Sequence, residues 1–204
     1  MSRLIWFAFL VGCAAGTPAP RSTMDSSTSS VATLAGRRAQ LVGWLHDYRM
    51  AGVYPKDAAG HAASVFVDGS GIRCPMAELV HESGRDDLVE AVRRENNTVR
   101  LADVHAGALF DWMLASGLTQ EEIAMVQGAM NIEYQFNTLP ILDGQQLAVE
   151  QAEVRGQLEM AESALRQATG ASLAIAAARL PTQDVRALAS TPIGDHQLLA
   201  VARN

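Results

Sequence analysis

Residues 65–84, VFVDGSGIRCPMAELVHESG, carry more conformational instructions than any other stretch of the chain. Val65, Phe66 and Val67 favour a strand, and Asp68-Gly69-Ser70-Gly71 is turn chemistry. A hairpin is therefore expected, with Ile72-Arg73-Cys74 as its return strand. Pro75 suits the first position of a helix, where its missing N–H would have no partner anyway. Met76, Leu79 and Val80 then mark an apolar helical face, which Gly84 stops. Cys74 falls where strand and helix meet, on the same strand face as Ile72. A thiol so placed is desolvated and unreactive at neutral pH, and a serine there would bury a hydroxyl without a partner.

The chain opens with Arg3 and an apolar run over residues 4–11. A membrane-spanning helix needs about 20 apolar residues, so the run reads as the core of a signal peptide. It ends in Leu10-Val11-Gly12-Cys13, which resembles a bacterial lipobox. That resemblance implies removal of residues 1–12 and a lipid on Cys13 that ties the chain to a membrane. The alternative is a plain signal peptide cut near Ala14-Ala15-Gly16. A lipobox further implies a bacterial cell-envelope address, on the outer membrane facing the periplasm. Cys74 is then the one unpaired thiol beyond the anchor, so the fold does not depend on a disulfide. Residues 14–33 are rich in Ser, Thr, Ala and Pro, which marks 13–33 as lipidated cysteine and disordered tether, with a reach of about 25 Å.

Beyond the tether the pattern divides the chain into a helix-rich domain with the hairpin, 34–130, and a C-terminal region, 131–204. Leu34, Leu41, Leu45 and Tyr48 space a helix as far as Met50, with Arg37, Arg38 and Asp47 pointing away from its apolar face. Residues 86–95 make an amphipathic helix, acidic at its start and basic near its end as the helix dipole favours. Asp103 can cap a helix running to Ser116, with Gly117 as its stop, and Thr119 to Glu122 is a capping box for the next. Residues 131–143 read as a connector, with room for a strand at 138–142. From Asp143 a helix of roughly 26 residues, about 39 Å long, runs to Gly170. Leu147, Gln151, Val154, Leu158, Ala161, Leu165 and Ala168 form its seam, and Glu162 faces Arg166. Gln and Ala in the seam favour packing on the chain's own domain over a coiled coil, hence a monomer. Residues 173–180 fit helix or strand, Thr182 can cap a short helix, and 196–203 can form a terminal strand. The expected class is α+β and helix-dominated: a small β-hairpin with surrounding short helices, then a long helix and a small C-terminal α/β region.

Acidic residues number 22 against 16 basic ones, a net charge of −6 without a basic stripe, which argues against nucleic acid as a partner. Cys74 is the candidate nucleophile, and a thiolate needs a neighbouring base. His81 lies two helical turns on, about 10 Å away by rise, leaving His46, His61 or His105 to approach through the fold. Asp68-Gly69-Ser70-Gly71 does not fit a calcium loop, since Phe66 would fall on the first ligand position. The histidines lack zinc-ligand spacing, and no metal or cofactor is expected. The residues from Gly117 to Ala124 are similar to the turn of a phage-type helix-turn-helix, but residues 128–131 offer no basic reading face.

Asp68-x-x-Gly71-x-x-Cys74 followed by a helix, with Ser83-Gly84, Leu88, Asn96 and Gly117-Leu118-Thr119, resembles a group of uncharacterised exported bacterial proteins. Their recurring D-x-x-G-x-x-C core is usually followed by Ala-Val, where this chain has Pro75-Met76. The resemblance spans roughly residues 41–127 and implies a domain there without implying a reaction. The expected function is a periplasmic binding or scaffolding module whose partner the sequence does not name. The rival is a thiol-dependent hydrolase or transferase using Cys74 with a nearby His.

Overall fold

A computed structural model describes residues 23–131, 143–180, 184–193 and 200–201. Helix α1 (Thr23–Ala51) buries Leu34, Leu41, Leu45 and Tyr48, as their spacing predicts. It starts well before Leu34, however, and takes in residues 23–33 of the stretch that composition marks as tether. Nucleation is the costly step of helix formation, and the packed part beyond Leu34 supplies the nucleus from which the helix extends. A second departure is Arg38, which does not point to solvent but is 2% exposed.

Residues 65–74 do not form the expected hairpin. The turn itself is present: Asp68 N–H donates to Ile72 O at 2.9 Å, and Gly71 takes φ +83°. The Asp68 carboxylate accepts from the N–H groups of Ser70 (2.8 Å), Ile72 (2.9 Å) and Lys56 (3.0 Å). Yet one isolated bridge, Val67 with Arg73, is all the pairing that results. The chain continues into α2 (Pro75–Glu82) and α3 (Asp86–Asn96), and the residue after α3 shows why no strand grows. Asn97 accepts from Val67 N–H (2.9 Å), donates to Val67 O (2.8 Å) and takes Phe66 N–H on its own carbonyl (2.7 Å). A side-chain amide has the same donor and acceptor as a peptide unit, so it stands in for a neighbouring strand.

The helix expected directly after Asp103 begins later. A 3-10 turn at Leu101–Asp103 leads into a short strand, β1 (Val104–Ala106), and Gly107 at φ +94° precedes α4 (Ala108–Ala115). Amides again satisfy the irregular backbone. Gln127 bridges Leu101 N–H (2.8 Å) and Val99 O (2.7 Å), and Gln120 donates to Ala102 O and Val104 O, both at 2.8 Å. Both belong to α5 (Gln120–Gly128), which opens with the capping box of Thr119 and Glu122 read from the sequence.

Helix α6 (Gly144–Gln167) starts at a capping box of Asp143 with Gln146 and buries Val154, Leu158, Ala161 and Leu165. These join the same core as Leu45, Leu79, Val92 and Leu109. Glu162 and Arg166 pair at 2.8 Å. The ambiguous residues 173–180 fall mostly in α7 (Thr169–Ala178), which follows α6 after a break at Ala168. Helix α8 (Val185–Ala189) is capped by Asp184, whose carboxylate accepts from Arg186 N–H at 2.8 Å. Thr182, expected as that cap, and the strand considered at 138–142 lie outside the described residues. Ala200–Val201 (β2) lies antiparallel to β1. Among the described residues the architecture is thus eight α-helices, with β1 and β2 as the named strands and isolated bridges at Lys56–Ala62 and Val67–Arg73. The described part of the C-terminal region is built mainly of α6, α7 and α8, with residues 200–201 as its one strand.

Candidate functional site

Pro75 opens α2 and thereby makes Cys74 its N-cap. The sulfur accepts one hydrogen bond among the described residues, from Ala77 N–H at 3.4 Å, and Cys74 is 2% exposed. Burial pushes the thiol up to about 11, because the charged form loses its hydration and the Ala77 N–H only partly compensates. No histidine among the described residues bonds the sulfur. His81 pairs with Asp86 (2.5 Å), His46 with Glu162 (3.1 Å), His61 with Glu150 (2.7 Å) and His105 with the carbonyl of Asp103 (3.2 Å). A nucleophilic thiolate needs both exposure and a base in reach, and Cys74 has neither. Cys13 lies outside the described residues.

The capping role changes what a substitution at this position should do. Burial alone makes serine the worse replacement, but a hydroxyl is a stronger N-cap acceptor than a thiol. Cys74→Ser is therefore expected to be more stable than Cys74→Ala by about 0.5 to 1 kcal/mol, since only the serine keeps the Ala77 N–H satisfied. Urea denaturation of the two variants checks this, and the reverse order would remove the capping role.

The strongest buried electrostatics lie elsewhere. Arg38 donates from both terminal nitrogens to Glu122 (2.7 and 2.6 Å), to Gly117 O (3.1 Å) and to Leu165 O (2.6 Å). Glu122 also accepts from Ser172 Oγ (2.6 Å) and Thr119 N–H (2.9 Å). Burial opposes the charge on Glu122, but the bonds from Arg38, Ser172 and Thr119 outweigh it and hold the carboxyl below its ordinary range. A second carboxylate, Glu162, ties α6 to α1 through Arg49 (3.0 Å) and His46. The Arg38–Glu122 pair is buried on both sides, whereas the Glu162 cluster reaches solvent through His46 and Arg166. Among the described residues no three His, Cys, Asp or Glu side chains gather where a metal ion could be held.

Open space is found along the outer side of α1. Two adjoining depressions, of about 520 and 780 Å³, share Trp44 and Glu82. The smaller is walled by Asp47, Tyr48, Ile72 and Glu78, the larger by Arg37, Gln40, Ser83, Trp112 and Ser190. Trp44 is half-buried, seated against the core and shared by both depressions. Trp112 is fixed behind it by a 2.8 Å bond from Nε1 to Ser83 Oγ. Arg85 closes the far end, donating to Ala189 O (2.7 Å) and Thr191 O (2.9 Å) while paired with Asp87. A concave surface with an aromatic centre and a few convergent polar groups is the usual form of a ligand site. Arg37 and Asp47 were legible as outward-facing, but Trp44 between them carries the signal: the three lie at i, i+7 and i+10, one stripe beside the buried face.

Compared with protein-family models, with curated proteins and with solved structures, the chain matches none of them. No helix of the described residues is long and apolar enough to cross a membrane.

Proposed function

We propose that this chain is a bacterial cell-envelope lipoprotein, anchored through lipid on Cys13, whose folded part is a binding module. The observation that carries the reading is Leu10-Val11-Gly12-Cys13 closing a short apolar run behind Arg3. An anchor of this kind places the module at the periplasmic face of the outer membrane. The buried, high-pKa Cys74 favours binding over thiol chemistry, and the groove beside Trp44 supplies a surface on which to bind. A monomer is in keeping with the α6 seam, whose central residues are covered by the chain's own core. The resemblance to exported bacterial proteins with a D-x-x-G-x-x-C core fits the same address.

Lipidation is tested by growing cells with labelled palmitate. The wild-type chain is expected to incorporate label and Cys13→Ala to lose it completely. Incorporation that survives the substitution would overturn the anchor.

A further inference from the structure

The two depressions along α1 differ in charge. At one end stands Arg37, which has no hydrogen bond or ion pair to any described residue, with the second guanidinium of Arg186 nearby on α8. Partial burial, and then Arg186, hold the Arg37 guanidinium below its ordinary pKa, the response of a cation short of counter-charge. At the other end Asp47 borders the smaller depression, and Glu82 stands beside Trp44 where the two depressions meet; neither carboxylate is paired with a described residue. Arg73 and Glu78, on the same wall, are bonded to each other and leave those two acids uncompensated. Between the ends lies Trp44, whose ring can carry an apolar side chain or a cation.

The spacing restricts what could satisfy both ends. Positions 37 and 47 are ten residues apart on one helix, so about 15 Å separates them. A free amino acid or a zwitterionic lipid headgroup is too short to reach both. An extended peptide rises about 3.3 Å per residue, so four or five residues span the distance. We propose that this groove binds a short peptide in extended form, its terminal carboxylate at Arg37, its ammonium group in the smaller depression with Asp47 and Glu82, and a side chain on Trp44. The proposal rests on reading the folded part as a binding module, and it is independent of the anchor.

The test is calorimetric titration of the full chain in detergent with the tetrapeptide Leu-Ala-Leu-Ala, free, N-acetylated or C-amidated. The free peptide is expected to bind about tenfold more tightly than either blocked form, one charged contact's worth of affinity. Arg37→Gln should erase the discrimination against the amide and leave that against the acetyl form. Asp47→Asn combined with Glu82→Gln should do the reverse. All three side chains reach solvent, and unchanged thermal unfolding of the variants separates lost binding from lost structure. Equal binding of free and blocked peptides would overturn the charge assignment and leave the binding-module reading standing. No binding by any of the three at millimolar concentration would overturn the proposal, while the palmitate experiment judges the anchor on its own.

Discussion

Glu122→Gln is expected to destabilise the protein by about 3 to 5 kcal/mol, because it leaves the Arg38 guanidinium charged, buried and without its counter-ion. Arg38 is 2% exposed, its terminal nitrogens reach three segments besides α1, and its Nε already lacks a hydrogen-bond partner among the described residues. A glutamine keeps the shape of Glu122 but turns an amide N–H toward donors. Arg38→Met should also be costly, since the carbonyls of Gly117 and Leu165 lose their donor. The uncompensated charge appears in each single variant and not in the double, so the cycle should show a coupling of about 1 to 3 kcal/mol. Losses that add to within about 0.5 kcal/mol would mean the pair does not act as a unit. The pH dependence has a definite sign. A carboxyl whose pKa is lower folded than unfolded adds stability that is present above the unfolded pKa and is lost as pH falls through the folded one. The lowered values of Glu122, Asp68 and Glu162 place that loss below the ordinary carboxylate range. Acid unfolding of Glu122→Gln should accordingly be shallower than that of the wild type.

Gly117→Ala should be nearly as damaging, for a reason unconnected with charge. Gly117 sits at φ +77°, and a Cβ there would stand 2.4 Å from the carbonyl oxygen of Leu34 and 3.2 Å from Arg38 Cβ. The left-handed conformation costs an L-residue about 1 to 2 kcal/mol, and forcing α1 away from the α4–α5 turn adds about 1 to 3 kcal/mol. Backbone cannot rotate aside as a side chain can, so the strain must move a helix. Gly71 provides the control: it has φ +83° with nothing within 4 Å of its would-be Cβ. Gly71→Ala should therefore show the conformational term alone, and thermal unfolding of the two variants isolates the close approach. Equal losses would mean that α1 does not press on the turn.

The periodic helices were the legible part of this chain. The α6 seam from Val154 to Leu165 is buried as its spacing requires, and Thr119 with Glu122 forms the capping box its residue types announce. What escaped was governed by partners distant in sequence. Arg38 reads as a solvated charge because the carboxylate that neutralises it is 84 positions away. Residues 65–67 read as a strand because their composition favours one, and nothing local reveals that Asn97 takes the place of the partner strand. Gln120 and Gln127 likewise delay the helix expected after Asp103 by holding the preceding backbone open. The groove shows both sides of this. Its stripe of Arg37, Trp44 and Asp47 is a helical pattern, but the wall opposite comes from α2 and residues 71–73, and the aromatic backing from α4.

The sharpest division between a binding module and a thiol enzyme is the reactivity of Cys74. The full chain carrying Cys13→Ala keeps Cys74 as its one cysteine, so a colorimetric thiol reagent such as DTNB reads that sulfur alone. A side chain that is 2% exposed, with its pKa pushed up to about 11, should react very slowly in native buffer at neutral pH and rapidly once urea unfolds the protein. Rapid labelling of the folded chain on the acid side of neutrality would instead reveal an accessible thiolate. That result would contradict the structural role of Cys74 and move the chemistry of this protein from the groove beside Trp44 to the cap of α2.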